Sequence, residues 1–363
     1  MKERKEFRFM ENSLDVIRLF AALQVAITHY LNLTLLHYRR EDAADRALLW
    51  LKRGFSLFPG VVILFAVSGF LMGAALEKQE SRNAFLKKRF LRIYPGLWAN
   101  ILLTAAVVVM VLRPAAAKIK SLAVWCAVQG TGMAYTPEFL KNFGAGSMNG
   151  ALWTIMVEVQ FYLLIYLFWN FLKRRKGGWW IGMTVFSVLM NLVCWLIRDK
   201  ALLPASVLSL LDRTFLPYLV WFCLGMLLYR YREKAVPAAV KGLPVFMAGY
   251  VAYKGAWLLL SWNVPGYYAD VVTSLVLPVL VIGCAYRGGR HRIANDISYS
   301  IFLYHWPVIN LIFHYGLPDR MNHVLLFAGY IVVFLILAML SQTLVEKRFL
   351  KQKGRLCGGN EEA

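Results

Sequence analysis

The chain has 363 residues, of which 59% are hydrophobic and only 17% charged, against about 25% charged in an ordinary soluble domain. With a mean hydropathy of +0.53, that composition excludes a water-soluble globule, whose surface would carry too few charges to stay dispersed. The net charge of +21 raises nucleic acid as a partner, but the basic residues punctuate apolar runs instead of forming a patch, which excludes that too.

In chain order, apolar stretches that reach or approach the roughly 20 residues a bilayer-crossing helix needs fall near 14–36, 57–76, 97–112, 151–172, 179–197, 214–229, 244–260, 271–286, 297–315 and 324–345. The pattern predicts an all-α, polytopic integral membrane bundle of about ten transmembrane helices. No separate soluble domain is predicted, since the longest polar interval, 113–150, itself contains the apolar Leu122–Val128. Three segments follow: a cytoplasmic N-terminus at 1–13, a membrane domain at 14–345 and a basic cytoplasmic tail at 346–363. With the N-terminus inside, the cytoplasmic segments hold 26 Lys and Arg and the outer ones 13, so the positive-inside rule puts both termini in the cytoplasm. The basic start, Met1 to Arg8, looks like the head of a signal peptide. The run after it is too long, however, contains Arg18 and His29, and lacks a small-x-small cleavage site, so it reads as the first span. The five cysteines include no Cys-x-x-Cys pair, so neither a disulfide framework nor a metal site is expected.

An ionisable group at the bilayer centre costs at least about 2.5–3.5 kcal/mol on insertion scales, so each one inside a span needs a partner or a task. Arg18 and His29 lie 11 residues apart in the first span, which puts them on one helix face about 16 Å apart along the axis. Two readings stand for Arg18: it snorkels to the inner headgroups beside Asp15, or it binds a ligand. His29 reads either as a hydrogen-bonded packing residue or as a base. Glu158, in the fourth span, reaches nearly the same depth. A carboxylate there would hold one imidazole nitrogen of His29 and raise the basicity of the other, or form a structural ion pair. His305, in Ser298-Tyr299-Ser300-Ile301-Phe302-Leu303-Tyr304-His305-Trp306-Pro307, reads as a functional group or as a packed histidine beside a proline kink. Lys254 in the seventh span reads as snorkelling. Arg89 and Arg92 share a helix face in the second inner loop, a fork suited to phosphate or to anionic lipid.

These residues together resemble the bacterial acyltransferase family 3, multi-span enzymes that move acyl groups from cytoplasmic acyl-CoA to carbohydrates. The resemblance rests on Leu14-Asp15-Val16-Ile17-Arg18-Leu19-Phe20-Ala21-Ala22 through His29, on Phe65-Ala66-Val67-Ser68-Gly69-Phe70-Leu71, and on Arg89-x-x-Arg92-Ile93-Tyr94-Pro95. Trp153-Thr154-Ile155-Met156-Val157-Glu158-Val159-Gln160-Phe161-Tyr162 and the Ser298 to Pro307 segment complete the series, in order, over about residues 11–345. The chain departs from many relatives in having Val16 and Leu19 where they have glycine. The resemblance implies a bacterial cytoplasmic (inner) membrane enzyme with an acyl-CoA donor, an acetyl group by preference, and no metal. It implies that Arg89, Arg92 and Arg18 bind the donor phosphates and that His29, oriented by Glu158, acts as base. It further implies that Ser68, Tyr304 or His305 stands near the developing oxyanion, with an acyl-His29 intermediate left open. The implied acceptor is a hydroxyl of a cell-surface or lipid-linked glycan. A proton-coupled transporter or flippase using His29, Glu158 and Lys254 is the rival expectation.

Overall fold

The computed structural model describes residues 11–78, 81–133, 135–260, 270–291 and 293–350; the basic start and most of the expected tail lie outside them. Among the described residues every regular element is helical. The first span becomes α1 (Leu14–His37), 24 residues long. A second helix, α2 (Ala43–Ser56), follows in what composition marks as an outer loop, and then comes α3 (Gly60–Glu77). Helix α4 (Arg82–Leu112) starts far before the apolar window that announces it, because Ser81 caps it by accepting from the Ala84 N–H at 3.2 Å. It stops where Arg113 turns left-handed at φ 45° before Pro114. The outer interval then holds α5 (Ala116–Gly130).

The fourth expected span is split into α6 (Leu152–Leu167) and the short α7 (Trp169–Lys173). The fifth is α8 (Gly177–Asp199), and the sixth is bent by 51° between α9 (Ala205–Leu211) and the helix ending in α10 (Leu219–Arg230). Helices α11 (Arg232–Leu260) and α12 (Val271–Arg287) follow, the latter capped by Asp270. The series closes with α13 (Ser298–His314), α14 (Leu317–Arg320) and α15 (His323–Ser341), which runs on through a π-helical turn at Gln342–Glu346. Asn322 caps α15 from its side-chain oxygen.

Every one of the ten expected stretches thus meets a helix, but the count of ten full-length spans is not matched. Among the described residues six helical stretches are long and apolar enough to cross a membrane, or seven with the bent pair taken as one. Helices α6, α12 and α13 have only 16, 17 and 17 residues, which at 1.5 Å per residue is about 25 Å, short of a hydrocarbon core of roughly 30 Å. The molecule is nevertheless a polytopic membrane protein. Leu102, Met110 and Leu325 stand two-thirds exposed on its long helices, and such an apolar surface is stable only against lipid.

The chain forms two compact units. The first comprises Met1–Ala21, Leu57–Glu80 and Leu164–Ala294. Within it α3 and α10 touch at backbone distance, because Gly69 abuts the Phe222 carbonyl and Gly225 abuts the Ala66 carbonyl, leaving no room for a Cβ at either. In lipid, where apolar burial does not drive helices together, such close van der Waals contact between small residues does. Lys254 is buried there, paired with Asp270 at 2.6 Å and facing the Trp257 ring at 4.2 Å. The sequence reading of a snorkelling Lys254 is therefore overturned: a carboxylate from the start of α12 neutralises it in place.

The second unit comprises Ala22–Ser56, Ser81–Leu163 and Asn295–Ala363. Here α15 packs on α13 and α2, and α13 and the π turn pack on α4. Tyr330 of α15 stacks on Tyr30 of α1 with centroids 4.5 Å apart and donates to the Ala26 carbonyl at 2.9 Å. His323 and Asp45 form a buried pair at 2.5 Å that ties α15 to α2.

Candidate active site

The second unit holds a histidine pair built by α1 and α13. His29 Nδ1 lies 3.0 Å from His305 Nε2, and His305 Nδ1 lies 3.0 Å from the Ile301 carbonyl. His29 is half-buried and His305 fully so. A carbonyl oxygen only accepts, so His305 carries its proton on Nδ1; in the neutral ring Nε2 is then an acceptor. The bond between the rings consequently requires the proton on His29 Nδ1. His29 Nε2 is left with its lone pair, the tautomer a general base needs.

Position along α13 explains why His305 can do this. Pro307 has no N–H to give the Leu303 carbonyl four residues before it, and a buried carbonyl must be paired. Asn100 of α4 and Asn149 donate to it instead, at 3.1 and 2.9 Å. Both asparagines are buried, and the broken ladder is what draws α4 and the 143–150 loop onto α13. The same loop is held again two turns on, where Asn310 donates to the Ser147 and Met148 carbonyls at 2.9 and 3.0 Å and accepts from the Ala145 N–H. Trp306 donates to Ser147 at 3.0 Å and presents its ring edge-on to His29, centroids 5.1 Å apart. Gly150 lies against that indole with no space for a side chain.

Below the pair in chain terms, a second polar cluster gathers on α4, α6 and α13. The Tyr162 hydroxyl donates to Glu158. The Arg89 guanidinium lies 5.3 Å from the Tyr162 ring and 5.5 Å from that of Phe85. Its Nε is buried with no protein acceptor, a donor that asks for an anion. Arg92 approaches Asp296 at 3.7 Å. Glu346, buried in the π turn, accepts from Ser300 at 2.5 Å and from Ser341 at 3.1 Å, beside Gly96.

Of the residues singled out from sequence, His29 and His305 come together, while Glu158 is bound to Tyr162 on its own helix. The orienting contact on His29 Nδ1 is made by His305, not by Glu158, because α13 presents a ring at hydrogen-bond distance there. Tyr304 is buried next to His305 in sequence, which turns it about 100° away around α13. Arg18 and Ser68 are half-buried on α1 and α3 and belong to the first unit. Sequence reasoning missed Asn100, Asn149, Trp306 and Glu346. Pro307 carried the signal for the two asparagines, since a membrane proline always leaves a carbonyl to be claimed. Glu346 had only its place at the end of a long apolar run. No group of three or more possible metal ligands occurs among the described residues.

The family described as an acyltransferase domain matches residues 11–342. Among curated proteins the chain is 28% identical to "Nodulation protein 10" of Rhizobium leguminosarum bv. viciae over 95% of both chains. It is 26% identical to an "O-acetyl transferase" of Shigella phage Sf6 over 93% of this chain and 96% of that one. No solved structure matches the chain significantly.

Proposed function

The chain belongs to this acyltransferase family and is a membrane O-acyltransferase, and we propose that it moves an acyl group, acetyl by preference, from cytoplasmic acyl-CoA to a hydroxyl of a cell-surface or lipid-linked carbohydrate. The observation that carries the reading is the contact of His29 Nδ1 with His305 Nε2 at 3.0 Å, backed by the Ile301 carbonyl on His305 Nδ1, from which the tautomer of His29 follows. Its Nε2 takes the proton of the acceptor hydroxyl as that oxygen attacks the thioester carbonyl; the C–S bond then breaks, and the proton passes from His29 to the departing CoA thiolate. His305 positions the ring and accepts from Nδ1 throughout, so the charge that develops on His29 is delocalised toward a ring whose own N–H is anchored on the Ile301 carbonyl. The donor supplies the activated carbonyl. Arg89, with its buried unmatched N–H, and Arg92 are suited to hold its phosphates. Arg18, on the helix of His29 and about 16 Å from it along the axis, is a third candidate. Glu158 fixes Tyr162 under the Arg89 guanidinium and so acts on the donor side. Tyr304 remains a candidate for the oxyanion, as a proposal of the same reading. The name of the phage relative, an O-acetyl transferase, supports acetyl as the group.

The test is transfer of radiolabelled acetyl from acetyl-CoA in proteoliposomes supplied with a glycan acceptor. Loss of a general base costs about 10²–10⁴-fold, so His29→Ala is expected to lower kcat by that factor while inserting normally. Arg89→Ala is expected to raise KM for acetyl-CoA with kcat nearly kept. Near-normal turnover by His29→Ala would sink the mechanism. Transport coupled to a proton gradient with no turnover of acetyl-CoA would favour the carrier reading instead. That reading loses one of its three groups here, since Lys254 is committed to Asp270.

A further inference from the structure

The first unit contains a cavity of about 270 Å³ that the acyl-transfer reading does not use. It opens where α3 and α10 end and α8 begins. Its lining carries three cations, Lys173, Arg175 and Arg230, against one carboxylate, Glu77. That carboxylate is already engaged: Arg232 lies 3.0 Å from it and the Tyr229 hydroxyl donates to it at 2.6 Å. The cavity is therefore electropositive beyond what its own acid offsets. A site for one water takes about 10–15 Å³ on the same measure, so this one accommodates a far larger guest.

Arg230 shares Glu77 with Arg232, whereas Arg175 and Lys173 keep donor capacity that the protein does not fill. Arg175 lies flat over the Phe171 ring at 3.6 Å, and its Nε is buried with no acceptor. A buried charged donor without an acceptor is unfavourable unless something arrives to take the bond. Lys173 gives one of its three N–H groups to the Lys78 carbonyl at 3.1 Å and stands 4.9 Å from the Trp169 ring. A planar guanidinium set beside a point-like ammonium is the pairing that suits phosphate oxygens. Trp180, buried at the cavity wall, adds an apolar flank for whatever carries the phosphate.

We propose that this cavity binds a phosphate ester, with Arg175, Lys173 and Arg230 as its ligands. On the charge-derived orientation its mouth faces the cytoplasmic surface, where two sources of that chemistry meet it. One is the headgroup of an anionic phospholipid; the other is a soluble phosphate ester, for which free CoA is the probe, bound apart from the donor site proposed above at Arg89 and Arg92.

The full-length protein in phosphatidylcholine nanodiscs separates them. Native mass spectrometry counts retained phosphatidylglycerol doped into the disc, and equilibrium dialysis measures free CoA. Arg175→Gln/Arg230→Gln is expected to weaken one of the two probes at least tenfold, and Lys173→Gln about threefold. Because Lys173 is exposed, the single variant reports even where the double one fails to fold. Arg53→Gln, on α2 of the other unit, is the control and leaves both probes unchanged. Loss of phosphatidylglycerol identifies a lipid site, and loss of CoA identifies a site for a soluble phosphate ester. If wild type binds no CoA at all, the donor reading fails while the lipid arm still tests the cavity. Binding of both probes by Lys173→Gln and the double variant within twofold of wild type overturns the proposal, as does a wild type that binds neither.

Discussion

A histidine acts as a base only through a ring nitrogen that keeps its lone pair, so the partner of the other nitrogen decides its chemistry. For His29 that partner is His305, whose own proton is held by a main-chain carbonyl, so the direction of both hydrogen bonds is set by a group that can only accept. This gives a prediction with an internal control. In His305→Gln the side-chain oxygen can still accept from His29 Nδ1, and kcat is expected to fall no more than about tenfold. In His305→Leu nothing accepts, the tautomer is released, and kcat is expected to fall by about 10²-fold or more, within the span general-base catalysis is worth. KM for acetyl-CoA stays put in both, since neither touches the donor. Equal losses in the two variants, or a rise in KM matching the fall in kcat, would leave His305 a packing residue. Sequence pointed to both histidines because a charge-capable ring is costly at membrane depth. It paired His29 with Glu158 because helical rise yields depth along the axis and says nothing of which neighbouring helix a face meets.

At the scale of elements, Pro307 organises the site from a position that never touches the chemistry. By withholding one N–H it leaves the Leu303 carbonyl to Asn100 and Asn149, and through Asn149 it recruits the loop that also carries the Ser147 carbonyl bound by Trp306. If that is the cause, the two positions must be energetically coupled. Asn149→Ala alone is expected to destabilise the protein by about 1 kcal/mol, the usual net worth of one such bond. In a Pro307→Ala background the restored main-chain N–H takes the carbonyl, and the same substitution costs less. Reversible unfolding of the four proteins in mixed micelles should show a coupling of about 0.6 kcal/mol or more, the typical size for hydrogen bonds measured this way in membranes. Additivity within about 0.3 kcal/mol would mean the asparagines bind the loop for some other reason. Element boundaries were harder to read from sequence than element existence. Hydropathy windows see only the apolar middle, whereas α4 and α11 begin at Arg82 and Arg232, where capping and the next turn's contacts carry the helix into polar sequence. Helix α2, whose apolar residues are interspersed with Arg46, Lys52 and Arg53, was invisible to a search for continuous apolar runs.

For the whole molecule, charge and length argue separately about how often the chain crosses the bilayer. The basic loops alternate in a way from which the positive-inside rule predicts both termini inside, an arrangement that requires an even number of crossings. Length alone yields six stretches, or seven with the bent pair, and seven would put the C-terminus outside. Ten crossings restore the parity only if the short helices α6, α12 and α13 also cross. A 17-residue helix manages this when the local bilayer thins or its ends are covered by protein, at a fraction of a kcal/mol per ångström of mismatch. The division into two units was not legible either, because two of its five borders fall inside α1 and α6, with no change of composition to mark them. Helix α13 is the decisive case, since it carries His305 and its buried Ser300 and Asn310 dilute the apolar signal. Cysteine substitutions at its two flanks decide it, in a background whose native cysteines are replaced. With an impermeant maleimide on intact spheroplasts, Arg320→Cys is expected to label at once and Arg290→Cys only after the membrane is opened. A fluorescent protein fused to the C-terminus is expected to mature and glow, as it does only in the cytoplasm. Equal labelling at both flanks would take α13 out of the set of crossing helices. The inner and outer ends assigned to the His29 site would then have to be reversed or abandoned, because the donor could no longer reach it from the side on which Arg89 and Arg92 were placed.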